Sequence, residues 1–67
     1  MNLGKKIKAQ RELSNWTQQE LANRLDVSCS TIGKYETNDR KPDIEMLIKL
    51  ANIFDISLDE LVGREYK

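Results

Sequence analysis

Apolar residues along this chain recur at three- and four-residue spacing, and no run alternates long enough to read as a strand. Leu3, Ile7 and Arg11 fall on one stripe of a first helix at i, i+4 and i+8, with Leu13 closing it. Asn15 is the left-handed stop, since asparagine tolerates that conformation next best after glycine. Thr17-Gln18-Gln19-Glu20 reads as a capping box, in which Thr17 and Glu20 each satisfy the other's backbone N–H. Leu21, Ala22 and Leu25 form the buried side of this second helix. Asp26 ends it, and Ser28 caps a third helix that runs to about Thr37. Ile32 and Tyr35 are its inward face, and Asn38 is its left-handed exit. After the polar loop Asp39-Arg40-Lys41, Pro42 is expected at the first position of a fourth helix, where a missing N–H is harmless. Ile44, Leu47, Ile48, Ala51 and Phe54 supply that helix's apolar stripe. Ser57-Leu58-Asp59-Glu60 is a second capping box, opening a short fifth helix with Leu61 and Val62 that Gly63 stops. The pattern predicts an all-α, compact five-helix bundle, with residues 1–67 forming one domain.

Size narrows what such a bundle can be. Sixty-seven residues bury only a small core. The single Cys29 cannot form an internal disulfide, which suits a reducing compartment. With one cysteine and no histidine, neither a metal site nor a cofactor is expected, and the commonest general base is missing. No base and nucleophile pair up, so an enzyme is not expected. Lys5, Lys6 and Lys8 lead into no apolar block, so no signal peptide is expected. The longest apolar run, Met46-Leu47-Ile48, cannot span a bilayer. A cytoplasmic, nucleoid-associated protein without a membrane partner or an evident small-molecule ligand is the expectation.

Net charge is zero, with 11 basic and 11 acidic residues, which by itself argues against nucleic acid. The distribution says otherwise. Residues 1–41 carry eight basic and five acidic groups, whereas residues 42–67 carry three and six. The positive half holds the segment with specific chemistry. From Gln18 to Glu36 the chain reads as a helix-turn-helix, with small Ala22 where two helices cross and Asp26-Val27-Ser28 as the turn. Rotation of about 100° per residue sets Ser30, Lys34 and Thr37 opposite Ile32 and Tyr35, with Cys29, Thr31 and Gly33 beside them. Lys34 can donate to guanine O6 and N7, and Ser30 can donate or accept at several bases. Cys29 and Thr31 can offer small apolar contact, for instance to a thymine methyl. Gly33 costs the helix roughly 1 kcal/mol relative to alanine, and either lets the backbone approach DNA more closely or is simply tolerated.

Gln18 and Gln19 start the second helix, whose free N–H groups favour a phosphate. Thr31, Thr37, Asn38, Arg40 and Lys41 border the outward face and are expected on the DNA backbone, where contacts set register but carry no sequence information. Leu21 to Ser28 is echoed by Leu50 to Ser57. The second unit leads into Asp59 and Glu60, which phosphates would repel, so the first is the reader. Arg11 and Glu36 are charges on stripes that should be buried, so they are expected to pair.

Ile7 and Arg11, Thr17 to Leu25, Val27-Ser28, Ile32 to Glu36, Pro42-Asp43, Leu47, Leu50-Ala51 and Phe54 to Leu61 together resemble the Cro/repressor-type (XRE-like) helix-turn-helix domains of phage repressors and bacterial regulators. The resemblance covers nearly the whole chain and implies a lambda-repressor-like fold with the motif at helices 2 and 3. It implies base reading at Cys29, Ser30 and Lys34, a backbone grip at Gln18 that sometimes also orients a reader on the next helix, and the Arg11–Glu36 link. Such domains usually have glycine where Asp26 and Asn38 stand, and serine or a charge where Gly33 stands. One monomer covers few base pairs, so a homodimer on a palindromic double-stranded operator is expected, acting as a repressor. Leu58, Leu61, Val62 and Tyr66 are the candidate dimer contacts, and could equally complete the core. The rival reading is a dimerising or antagonist protein-interaction module that keeps the fold without binding DNA, favoured by the zero net charge and the acidic tail.

Overall fold

Each helix begins where a short polar side chain can accept from the free backbone donors of the first turn. The computed structural model describes residues 2–62. Its helices are α1 (Leu3–Leu13), α2 (Gln18–Leu25), α3 (Cys29–Glu36), α4 (Ile44–Phe54) and α5 (Leu58–Val62), with no strand among the described residues. Asn2 caps α1, its Oδ1 accepting from Lys5 N–H at 3.0 Å. At α2 both halves of the capping box form, Glu20 N–H to Thr17 Oγ1 at 3.1 Å and Thr17 N–H to Glu20 Oε1 at 3.0 Å. Thr31 N–H donates to Ser28 Oγ at the start of α3. At α5 only the forward half of the expected box forms, from Glu60 N–H to Ser57 Oγ at 3.1 Å.

The stops are also local. Asn15, Asp26, Asn38 and Asp55 all take positive φ, between 56° and 64°. The echoed segments make the same joint: Val27 N–H bonds back to Ala22 O and Ile56 N–H to Ala51 O, both at 3.0 Å. These bonds satisfy carbonyls that the ending helix leaves free.

The core joins Ile7 of α1, Leu21, Ala22 and Leu25 of α2, Ile32 and Tyr35 of α3, Leu50, Ala51 and Phe54 of α4, and Leu61 of α5. Trp16 closes its side by stacking on Phe54 with ring centroids 5.9 Å apart, and the Arg24 guanidinium covers the indole at 4.2 Å. Helix α3 packs on α2 and α1, while α4 and α5 support the opposite side.

Three packing expectations are corrected. Leu13 is 75% exposed, because α1 ends beside it and Trp16 takes the closing role. On α4 Leu50, Ala51 and Phe54 are buried and Met46, Leu47 and Ile53 pack partly against the core, while Ile44 and Ile48 are 63% and 44% exposed. Helix α4 is apolar around most of its circumference, so periodicity offers two competing stripes and the neighbouring helices choose. Pro42 lies outside α4, ahead of the N-cap Asp43, whose Oδ1 accepts from Met46 N–H at 2.9 Å. A capping carboxylate satisfies a free donor, which a proline at the first position does not.

Candidate nucleic-acid interface

Helix α3 is short, and its inner residues fix how its outer ones stand. Ile32 is fully buried and Tyr35 is 5% exposed, so the helix cannot roll without losing both. Ser30, Lys34 and Thr37 are exposed on the opposite side, and Cys29, Thr31 and Gly33 are half-buried at its flanks. Among the described residues no carboxylate forms a salt bridge with Lys34, Arg40 or Lys41. The three cations remain available to an external anion.

Glu36 fastens the end of α3. Arg11 Nε donates to Glu36 Oε2 at 2.6 Å and Arg11 Nη2 to Oε1 at 3.3 Å, while Arg11 Nη1 holds the Trp16 carbonyl at 2.8 Å. Gln18 Nε2 donates to Glu36 Oε1 at 3.0 Å. The Arg11 and Glu36 side chains are 12% and 4% exposed. The Glu36 hydrogen bond raises the Arg11 pKa further above its already high ordinary value, so the guanidinium stays charged. One carboxylate therefore ties α1, the α1–α2 turn and the start of α2 to α3. Half-buried Gln18 belongs to this hub through its amide N–H. Exposed Gln19 bonds to Asn23 along the outer face of α2.

The side chain of exposed Asn38, expected on the DNA backbone, makes two hydrogen bonds with the start of α1. Its Oδ1 accepts from Gly4 N–H at 3.0 Å and its Nδ2 donates to Asn2 Oδ1 at 2.8 Å. The residue that supplies the left-handed exit of α3 also caps α1. Thr37 Oγ1 is turned to the Gly33 and Lys34 carbonyls and to Asp39 Oδ2. Arg40 and Lys41 stay exposed, rimming a cavity of about 180 Å³ that is also lined by Leu3, Tyr35, Asn38 and Pro42.

Sequence reasoning missed Asn2 and Gly4. Asn2 carried a signal, an N-capping residue directly before the first apolar-periodic position. Gly4 carried none. A Cβ there would lie 2.4 Å from the Glu36 carbonyl oxygen, so α1 passes directly against the backbone at the end of α3. Among the dimer candidates, Leu61 is fully buried and belongs to the core, because α5 is short and turns this residue inward. Leu58 is 37% exposed and Val62 is half-buried, while Tyr66 lies outside the described residues. Among the described residues no three potential metal-binding side chains cluster, and no helix is long and apolar enough to cross a membrane.

This arrangement, two short helices joined by a tight turn with the second held outward by a buried pair, is that of a helix-turn-helix unit. The helix-turn-helix family profile matches residues 7–61, and the chain belongs to that family. It is 37% identical over 65 residues to the transcriptional regulator ImmR of Bacillus subtilis, covering 97% of this chain and 51% of that protein. It is 36% identical over 64 residues to the cryptic phage CTXphi transcriptional repressor RstR of Vibrio cholerae, covering 96% of this chain and 57% of the relative. The fold is shared with the biofilm master regulator SinR, solved in complex with DNA, at a TM-score of 0.81 and 30% identity over 90% of this chain and 97% of that one. The chain spans about half the length of the curated relatives it matches.

Proposed function

We propose that this domain is the DNA-binding part of a transcriptional regulator, and that it acts as a repressor by occupying an operator with α3 in the major groove. The observation that carries this reading is the outward edge of α3. Exposed Ser30 and Lys34 stand on a helix locked from behind by Ile32, Tyr35 and the Glu36 hub. In this reading Lys34, Ser30 and Cys29 meet base edges. Gln18, Gln19, Thr31, Thr37, Arg40 and Lys41 meet the backbone, with the free N–H groups at the start of α2 aimed at a phosphate. Asn38 contributes through the shape of the loop, its side chain being engaged with Asn2 and Gly4. RstR, named as a repressor, supports the sign of regulation.

A single α3 covers few base pairs, so two copies on half-sites about one helical turn apart complete the proposal. Leu58 and Val62 border the candidate contact, and exposed Ile44 and Ile48 add apolar surface on α4. Selection from a random duplex pool tests the reading, with an inverted repeat as the expected product. A salt titration on mixed DNA should give a steep negative slope. No selected motif together with a flat slope would leave the protein-interaction reading instead.

A further inference from the structure

Gly33 sits inside α3 with regular helix on both sides, and nothing within the protein requires a glycine there. A Cβ built on Gly33 meets no atom within 4 Å. Gly4 is the opposite case, with backbone oxygen where its Cβ would stand. Among helix-interior residues only proline is less favourable than glycine. Gly33 therefore weakens the helix that displays the outward edge, with no packing gain to offset it.

Position supplies the reason. On a helix surface Gly33 borders Cys29 and Ser30 one turn before it and Glu36 and Thr37 one turn after. Thr37 lies close enough to donate to the Gly33 carbonyl at 3.1 Å. Glu36 is held by Arg11 and Gln18. The remaining neighbours, Cys29, Ser30 and Thr37, are small and uncharged. The result is a dent on the flank of the outward edge with a bare Cα at its floor; none of the four neighbours one turn away is a cation, and exposed Lys34 is the next residue along the helix. The thymine C5-methyl is the distinctive apolar group that a base pair presents in the major groove.

We propose that the dent at Gly33 is a specificity-determining feature that receives the C5-methyl of one thymine and so reads a T·A pair. This rests on the major-groove reading above. The space that admits the methyl is the space a Cβ would fill.

The test is a cycle between protein and DNA. The best site from a random duplex pool is synthesised with each thymine in turn replaced by deoxyuridine, which lacks the methyl. Kd is measured for the wild-type chain and for Gly33→Ala. At one position deoxyuridine should weaken the wild type about fourfold, the worth of one buried methyl. Gly33→Ala should lose on the order of tenfold on the thymine site and regain most of it on the deoxyuridine site, because its own methyl then fits. Its melting temperature should rise by roughly 4–8 °C, so the loss is not unfolding. Equal affinity of Gly33→Ala and wild type for the thymine site overturns the proposal, as does an equal loss on both sites. If the wild type selects no site, the major-groove reading falls first and takes this inference with it.

Discussion

Lys34 and Arg40 are both exposed cations without a salt bridge among the described residues, yet they are placed for different work. Lys34 stands on the outward edge of a helix that cannot roll, whereas Arg40 sits on the loop beyond it. Lys34→Ala should lower preference at one base pair by about 1–3 kcal/mol. Arg40→Ala should weaken binding to all sequences alike and flatten the salt slope by about one. Titrations on the selected site and on random DNA, each at several salt concentrations, separate the two. Asn38 is the other informative single residue, since it combines a left-handed φ of 64° with a cap on α1. Asn38→Gly keeps the backbone shape and loses the cap, for a stability loss of about 1 kcal/mol in urea unfolding. Asn38→Ala should lose more, because alanine resists the left-handed conformation.

Among the elements, α2 depends most visibly on a titrating group. Backbone and side-chain hydrogen bonding with Thr17 hold the Glu20 carboxyl below its ordinary value of 4.5. A carboxylate with a depressed native pKa contributes stability above its unfolded pKa and loses it as pH falls through the native value. The contribution should be full at neutral pH and fade below about 4.5. Glu20→Gln can still accept from the Thr17 N–H but does not titrate. The gap in melting temperature between wild type and Glu20→Gln should therefore narrow as the pH drops, and a constant gap would assign the cap no charge. Both ends of α2 and α3, and the stop of α1 at Asn15, were legible in the sequence, since each rests on bonds between residues a few positions apart. The inward face of α4 was legible only in part, at Leu47, Ala51 and Phe54. With Ile44, Met46, Leu47, Ile48, Leu50, Ile53 and Phe54 spread around it, spacing alone favoured Ile44 and Ile48, which the structure leaves exposed.

For the whole molecule, the Glu36 hub decides how α1, α2 and α3 stand relative to one another. Removing Arg11 leaves a nearly buried carboxylate without its cation. Arg11→Ala should destabilise the fold by roughly 3–5 kcal/mol in denaturant unfolding. Because the Glu36 side chain is only 4% exposed, the loss should persist in high salt, where a surface pair would be screened away. The Arg11–Glu36 pair was readable from the sequence, because two charges on buried stripes must find each other. The third partner, Gln18, was read as a backbone grip that sometimes orients a reader on α3, but its bond to Glu36 was not foreseen, since a glutamine at a helix start has many possible acceptors.

The capping box at Thr17 and Glu20, the left-handed stops and the outward edge of α3 were set by the amino-acid sequence alone, because neighbours in the chain are neighbours in a helix. The side of α4 that enters the core, the burial of Leu61, the double duty of Asn38 and the need for Gly4 were decided only by tertiary packing. Their partners lie on other helices: Gly4 and Asn2 meet Asn38 across 34 and 36 residues, and Gln18 meets Glu36 across 18. No local periodicity encodes which surfaces close over such separations.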